Sequence, residues 1–196
     1  MPAHAQTSTA AVVAAGRRLL EERGADALTM RDVADAVGVR APSLYKRVRS
    51  RSDLFRLVLE DVTDELAAAS EAAAASGDPA TDLQAIVTGY RAFAHAHPAA
   101  YALMAAPHTD GADERARRSS ATLIRAVTAL TDTADALPAA RTIVAWANGF
   151  IAMDLAGAFR LGGDVERAWA FGLDRILAAI QRVDGTGRPA AAGHGQ

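Results

Sequence analysis

The sequence predicts an all-α protein in two parts, a small N-terminal head and a larger helical body, and three observations carry that reading. The composition is 51% hydrophobic with only 5% aromatic residues, an Ala-rich make-up that favours helix over strand. Apolar residues recur at helical spacing through most of the 196 residues, with Gly, Pro, Ser, Thr or Asp where one pattern gives way to the next. Charge divides the chain: residues 1–58 hold ten basic and six acidic side chains, residues 59–196 eleven and seventeen, against a net charge of −2 overall. A basic end on an acidic body is the asymmetry expected when one end meets nucleic acid.

The head reads element by element. Residues 1–7 form a loose arm without Lys or Arg, a poor groove or phosphate contact. Ser8 or Thr9 caps a first helix to about Arg23, with Val12, Ala15, Gly16, Leu19 and Leu20 inward and Gly24 closing it. Leu28 anchors the entry to the next element. Thr29 with Asp32 three residues later forms a capping box, and Met30, Val33, Ala34 and Val37 give that helix one buried stripe. Gly38 ends it, Val39 plugs the turn, and Pro42 stands where the first turn of a new helix tolerates a missing N–H. Leu44 and Val48 set the buried side of this short helix, and Ser50 with Asp53 caps the long helix that follows.

Helix, Gly turn and short helix with a basic outer surface describe a helix-turn-helix, which lays its second helix in the DNA major groove. With Leu44 and Val48 inward, Pro42 and Lys46 fall nearly opposite, flanked by Ser43 and Tyr45, while Arg40 and Ala41 stand at the entrance. Residues 40–56 hold six basic side chains (Arg40, Lys46, Arg47, Arg49, Arg51 and Arg56) against the single acid Asp53. A solvated basic face is the plainer alternative, but the concentration of positive charge here favours DNA.

The block GVRAPSLYKRVRSRSDLF resembles the recognition-helix region of the TetR family of transcriptional regulators, and the match runs without a gap from about residue 9 to 62. Arg40 departs from the Ser or Thr common at its position, so the short helix lacks a side-chain cap. The resemblance implies an N-terminal three-helix helix-turn-helix DNA-binding domain at residues 1–52 and a C-terminal ligand-binding and dimerisation domain at 53–184. A disordered tail, GTGRPAAAGHGQ, is expected at 185–196. The DNA-contacting set it implies is Thr29, Arg31, Arg40, Ala41, Pro42, Ser43, Tyr45, Lys46, Arg47 and Arg51.

In the body, a long helix after Ser50 carries Leu54, Phe55, Val58, Leu59, Val62 and Leu66 and fades into AAASEAAAASGDP. Asp78-Pro79 starts a helix to about residue 96 with Leu83, Ile86, Val87, Tyr90, Phe93 and Ala94 inward. The following HPAAYALMAAP resembles a segment of TetR-like C-terminal domains named for a Trp-His-Gly motif: His97-Pro98 a break, Tyr101 and Met104 a short helix, Pro107 to Gly111 a loop. A helix from Ala112 to about Thr133 carries Arg115, Arg117, Arg118 and Arg125, read as a solvated face balanced by Asp113 and Glu114. Pro138 opens a helix to about Leu161 that is apolar on most sides and needs cover all round. Its Trp146-Ala147-Asn148-Gly149 keeps the Trp and Gly of that motif but has Asn148 at the His position. Gly162-Gly163 turns the chain, and Asp164 caps a last helix with Val165, Trp169, Leu173, Ile176 and Ile180 as its stripe.

Other chemistry is poorly provided for. The absence of cysteine excludes disulfides, thiolate catalysis and Cys-ligated zinc. His95 and His97 lie about 160° apart on one helix, which spoils shared ligation; His4, His108 and His194 stand alone. Ser119-Ser120 lacks a nucleophile elbow, and no phosphate-cradling Gly loop occurs. No metal, cofactor or enzymatic activity is expected. No run of eighteen apolar residues and no secretory signal are present, so a cytoplasmic protein that does not span a membrane is expected.

The expectation is a homodimeric regulator, a repressor, that binds a double-stranded palindromic operator and is released by a small apolar effector. Tyr90, Phe93, Tyr101, Met104, Trp146, Phe150, Met153 and Asp154 are the candidate effector contacts, with plain core packing as the alternative for the aromatics and Met. For Asp154 the favoured alternative is a pairing with a nearby Arg, such as Arg125 or Arg160, or a rim position in water. Trp146, Phe150 and Met153 are read as one side of the penultimate helix, Ile151 and Leu155 as the other, which meets a second chain together with the last helix's stripe. An all-helical small-molecule-binding or enzymatic domain that no longer binds DNA is the rival.

Overall fold

The computed structural model describes residues 8–105 and 112–181. The expected arm at 1–7, the whole of the 107–111 loop and the tail at 185–196 lie outside the described residues. Helices α1 (Thr9–Ala27), α2 (Met30–Ala36) and α3 (Ala41–Leu44) make the head, and α4 (Arg51–Ala73) leads away from it. Helices α5 (Pro79–Ala96), α6 (Pro98–Ala105), α7 (Ala112–Leu130), α8 (Thr133–Leu155) and α9 (Val165–Ile180) complete the body.

Most helix starts are those the caps dictate. The Ser8 hydroxyl accepts the Ala11 N–H at 3.1 Å, Asp78 that of Thr81 at 2.9 Å, and Asp164 those of Glu166 and Arg167 at 2.9 and 3.2 Å. Each removes an orphan donor from a first turn. Thr29 and Asp32 exchange backbone-to-side-chain hydrogen bonds in a complete capping box. Asp32 stays ionised below the ordinary Asp value because the Thr29 hydroxyl and N–H donate to it, with Arg23 adding a smaller contribution.

Two boundaries differ from the sequence reading. The first helix breaks at Gly24 as expected, at φ 77° and ψ 166°, and a short further turn to Ala27 follows within α1. Pro138 lies inside α8, which begins five residues earlier at Thr133, and α7 ends at Leu130. At the far end α8 stops at Leu155: Gly157 adopts φ 61°, and its N–H and that of Ala158 donate to the Asp154 and Met153 carbonyls, both at 2.9 Å. This Schellman stop leaves Phe159 outside the helix, folded back on Phe150 with ring centroids 4.8 Å apart.

The core is in two clusters. In the head, Val12, Leu20, Leu28, Val33, Leu44, Val48 and Leu54 are fully or almost fully buried, and α6 adds Ala100 and Leu103 to the same cluster. Gly16 lets α1 and α4 approach: a Cβ there would stand 2.9 Å from Leu54 Cδ1. In the body, Leu83, Ile86, Val87, Val127, Ile143, Ile151, Trp169 and Leu173 close the second cluster. Deleting a fully buried side chain such as Leu54 or Ile143 to Ala would cost roughly 2–5 kcal/mol. Among the described residues no helix is long and apolar enough to cross a membrane.

The outer faces correct the sequence reading of α8 and α9. Ile151 lies in the core of its own domain, while Met153 is exposed. Trp146 and Phe150 face α9, with Trp146 stacked on Trp169 at 4.7 Å. The α9 stripe of Trp169, Leu173 and Ile180, joined by Leu177, also packs inward, and Ile176 packs against the same cluster. Exposed on these two helices are Leu137, Val144, Met153 and Leu155 of α8 and Phe171 of α9, the last 63% exposed.

Candidate functional site

The turn between α2 and α3 is a second Schellman stop. Gly38, at φ 70°, donates to the Asp35 carbonyl at 3.2 Å, and Val39 donates to the Ala34 carbonyl at 3.0 Å. A side chain at position 38 would be strained, so Gly sets the angle at which α3 leaves. Leu44 and Val48 pin α3 and its following turn to the head core. Pro42, Ser43, Lys46 and Arg47 are exposed and Tyr45 is 50% exposed, while Ala41 is half-buried. Arg40 occupies the N-cap with no side-chain hydrogen bond, as its sequence position implies.

Pairing sorts the basic residues. Arg31, Arg40, Lys46, Arg47 and Arg49 are exposed and form no salt bridge with a described residue, although Arg49 helps to hold the Asp53 carboxyl down. Arg56, by contrast, bridges Asp53 and Glu60, both at 2.7 Å. Arg51 is a correction to the expected DNA set. Its Nε donates to the Leu28 carbonyl at 3.0 Å, another guanidinium N–H donates to the Ala25 carbonyl, and its plane lies 4.6 Å from the Phe55 ring. It ties the start of α4 to the end of α1. Thr29 spends its hydroxyl on Asp32 at 2.5 Å, so its place in the set is that of the residue that starts α2 beside exposed Arg31.

The body contains a cavity of about 130 Å³ between α4, α5, α6, α7 and α8. Its lining includes Leu66, Ile86, Tyr90, Met104, Leu123 and Ile143, with Ser70, Ser120 and Asn148 as polar points. The Asn148 side-chain oxygen accepts both tyrosine hydroxyls, Tyr90 at 2.9 Å and Tyr101 at 3.1 Å, and its amide nitrogen donates to the Val144 carbonyl at 2.9 Å. Burial pushes both phenols above the ordinary Tyr value, Tyr90 further than Tyr101, so both remain donors. A wider recess of about 310 Å³ between α4 and α5 shares Leu66, Ser70, Ile86 and Tyr90 with the cavity and is bounded outside by Phe93, Glu65 and His97.

Of the expected effector contacts, Tyr90 and Met104 line the cavity, Tyr101 reaches its Asn148, and Phe93 lines the outer recess. Trp146, Phe150, Met153 and Asp154 do not. The first two are used in stacking α8 on α9, Met153 faces solvent, and Asp154 is paired. Gly149 is exposed with open space about it, so it does not face the cavity.

Two models of known families match the chain. "Bacterial regulatory proteins, tetR family" matches residues 12–58, and "Tetracyclin repressor-like, C-terminal domain" matches residues 83–176. The chain belongs to the TetR family.

Among curated proteins, an uncharacterised HTH-type transcriptional regulator of Mycobacterium tuberculosis is 34% identical over 98 residues, 50% of this chain and 44% of that one. The HTH-type transcriptional repressor KstR2 of Rhodococcus jostii is 37% identical over 83 residues, 41% of each chain. The chain thus spans about half or less of the length of these two relatives. A solved structure of a protein of unknown function from Rhodococcus sp. RHA1 superposes with a TM-score of 0.79 at 25% identity, covering 93% of this chain and all of that one.

Two further features of this TetR-family chain escaped the sequence reading. Arg91 on α5, with its side chain 8% exposed, holds Asp154 of α8 at 2.8 Å and Glu166 of α9 at 2.7 Å, and lies 5.0 Å from the Trp169 ring. Burial alone would raise Asp154, but hydrogen bonds from Arg91 and His95 hold it below the ordinary Asp value. The favoured alternative of an internal pair therefore holds, with Arg91 in place of Arg125 or Arg160. The other feature is Glu21 of α1, which accepts the Ala99 and Ala100 N–H groups at 3.0 and 2.9 Å and so caps α6. Spacing hints at the first, since Arg91 and His95 stand four apart on one helix face; no local pattern announces the second. Of the α7 arginines read as a solvated face balanced by Asp113 and Glu114, Arg117 pairs with Glu114 as expected, whereas Arg118 and Arg125 bridge to Asp64 and Glu71 of α4.

Proposed function

We propose that this chain is a DNA-binding transcriptional repressor that works in the cytoplasm as a homodimer and leaves a palindromic operator when a small molecule occupies the body. The observation that carries the reading is the short α3 with its turn, fixed from within by Leu44 and Val48 and presenting Arg40, Lys46, Arg47 and Arg49 with no salt bridge to any described residue, while Arg17, Arg23 and Arg56 of the neighbouring helices are held by carboxylates. Tyr45, Lys46 and the α3 entrance enter the major groove, and the surrounding arginines hold phosphates. Similarity to a named repressor supports repression over activation.

Residues 1–52 are the reading head and 53–184 the effector and dimer part, with α4 crossing between them. The uncovered apolar side chains of α8 and α9 meet their copies in a two-fold bundle. The two α3 helices then stand roughly 35 Å apart, one turn of DNA between half-sites. The cavity reaches the head by two routes: Leu66 lies on α4, which carries the head, and Met104 lies on α6, whose first turn is held by Glu21 of α1. A ligand that shifts either helix tilts the head, and linkage requires ligand and operator to weaken each other by the same factor. The direct test is a gel shift on DNA flanking the protein's own gene, where retardation at nanomolar protein is expected. No retarded fragment there, and none on selection from whole genomic DNA, would overturn the reading.

A further inference from the structure

The cavity's chemistry narrows what it takes. Among the described residues none that lines it is charged, and its polar points are the hydroxyls of Ser70, Ser119, Ser120 and Tyr90 and the amide of Asn148. Charge, among the described residues, begins in the outer recess, where Glu65 is held by Arg17. The Ser70 and Ser120 hydroxyls make no hydrogen bond to any described residue, whereas the Asn148 oxygen is already taken by two phenols. The cavity therefore offers free hydroxyls against an otherwise apolar wall. Its volume of about 130 Å³ is close to that of an apolar cavity of about 150 Å³ able to hold benzene.

Resting on the reading of this cavity as the effector site, we propose that its ligand is an uncharged molecule the size of one aromatic ring carrying a single hydroxyl, bonded to Ser120 or Ser70. Leu66, Ile86, Leu123 and Ile143 take its ring. An ionised group there would lose its water with no counter-charge to replace it, and so charged analogues are rejected. The shared walls with the α4–α5 recess make that recess the way in.

The probes are benzyl alcohol, benzoate and benzylamine at pH 7, titrated calorimetrically into the full chain. Benzyl alcohol is expected to bind and to raise the melting temperature, and both ions to bind at least ten-fold more weakly. Ser120→Ala together with Ser70→Ala should weaken benzyl alcohol about five-fold or more, the worth of one neutral hydrogen bond. Leu123→Trp fills the cavity and should abolish binding; if that variant does not fold, the serine pair gives the decision. Benzoate or benzylamine binding as tightly as the alcohol, no binding of benzyl alcohol up to its solubility, or affinity unchanged in the serine variant would each overturn the proposal. Because the readout needs no DNA, the two readings fail separately. Alcohol binding without any DNA retardation removes the repressor and leaves the cavity, whereas release from DNA by a charged ligand in the cavity does the reverse.

Discussion

Glu21 of α1 accepts the Ala100 N–H at 2.9 Å, a bond that joins the DNA-reading head to the first turn of α6 in the body. Its other oxygen takes the Ala99 N–H, so a carboxylate from one part supplies the cap that Pro98 and His97 do not. A negative group at a helix N-terminus is also favoured by the helix dipole.

Glu21→Ala should cost about 1 kcal/mol of stability, the usual worth of an N-cap, and should blunt release from DNA by ligand more than it weakens operator binding. Thermal unfolding and a ligand titration of the gel shift measure the two effects. Equal release in the variant and the parent would show that the clasp carries no signal and that α4 alone does.

Two arginines that follow the recognition helix, Arg47 and Arg51, should behave differently. Arg47→Ala removes a free phosphate donor and should lower the salt slope of DNA binding by about one. Arg51→Ala leaves the Ala25 and Leu28 carbonyls without their donor and should destabilise the head by about 1–3 kcal/mol. Its salt slope at low temperature should stay unchanged. A melting curve for each, beside anisotropy at several salt concentrations, separates the roles.

Acid should loosen the body through Arg91. Asp154 is held below its ordinary value in the folded state, so its contribution is complete above the unfolded Asp pKa of about 4 and is lost as pH falls through the depressed folded value. Asp154→Asn should therefore remove part of the stability gained on raising pH from about 2 to 5. At neutral pH the cost is about 3 kcal/mol, the low end for a broken buried pair, because Glu166 still holds Arg91. Glu166 is largely exposed and adds little to the pH dependence. Circular dichroism melts across that range test this.

The head was almost wholly legible because its signals are local. Thr29 with Asp32, Gly38, and Leu44 with Val48 each specify a cap, a turn or a face within five residues. The body was legible in its helices and less so in its contacts. Trp146, Phe150 and Met153 have the spacing of a pocket wall, but which wall they form depends on where α9 lies, and α9 claims the two aromatics. Asp154 was singled out as the charge in an apolar helix, yet its partner is 63 residues away on α5. Pro138 reads as a helix opener, and the residues from Thr133 are helical without a side-chain cap from Asp132. Long-range packing decides all three.

The same packing redefines the dimer seam. With Ile151 and Ile176 packed into their own domain, the exposed apolar side chains of α8 and α9 left for the proposed partner are Leu137, Val144, Met153, Leu155 and Phe171. Leu155→Glu with Phe171→Glu should give folded monomers that bind a half-site weakly and the palindrome hardly better. Light scattering checks the first expectation and gel shift the second. Dimers persisting in the double variant would place the seam elsewhere.

Fluorescence anisotropy of the purified chain, with and without Lys46→Ala, on a palindromic fragment selected from genomic DNA tests the central claim most directly. The account predicts a complex of two chains per palindrome whose affinity falls steeply with salt. Lys46→Ala should weaken it at least ten-fold and flatten the salt dependence, with the helical content unchanged. Equal affinity of the variant and the parent across the salt range would remove α3 from the DNA and contradict the account.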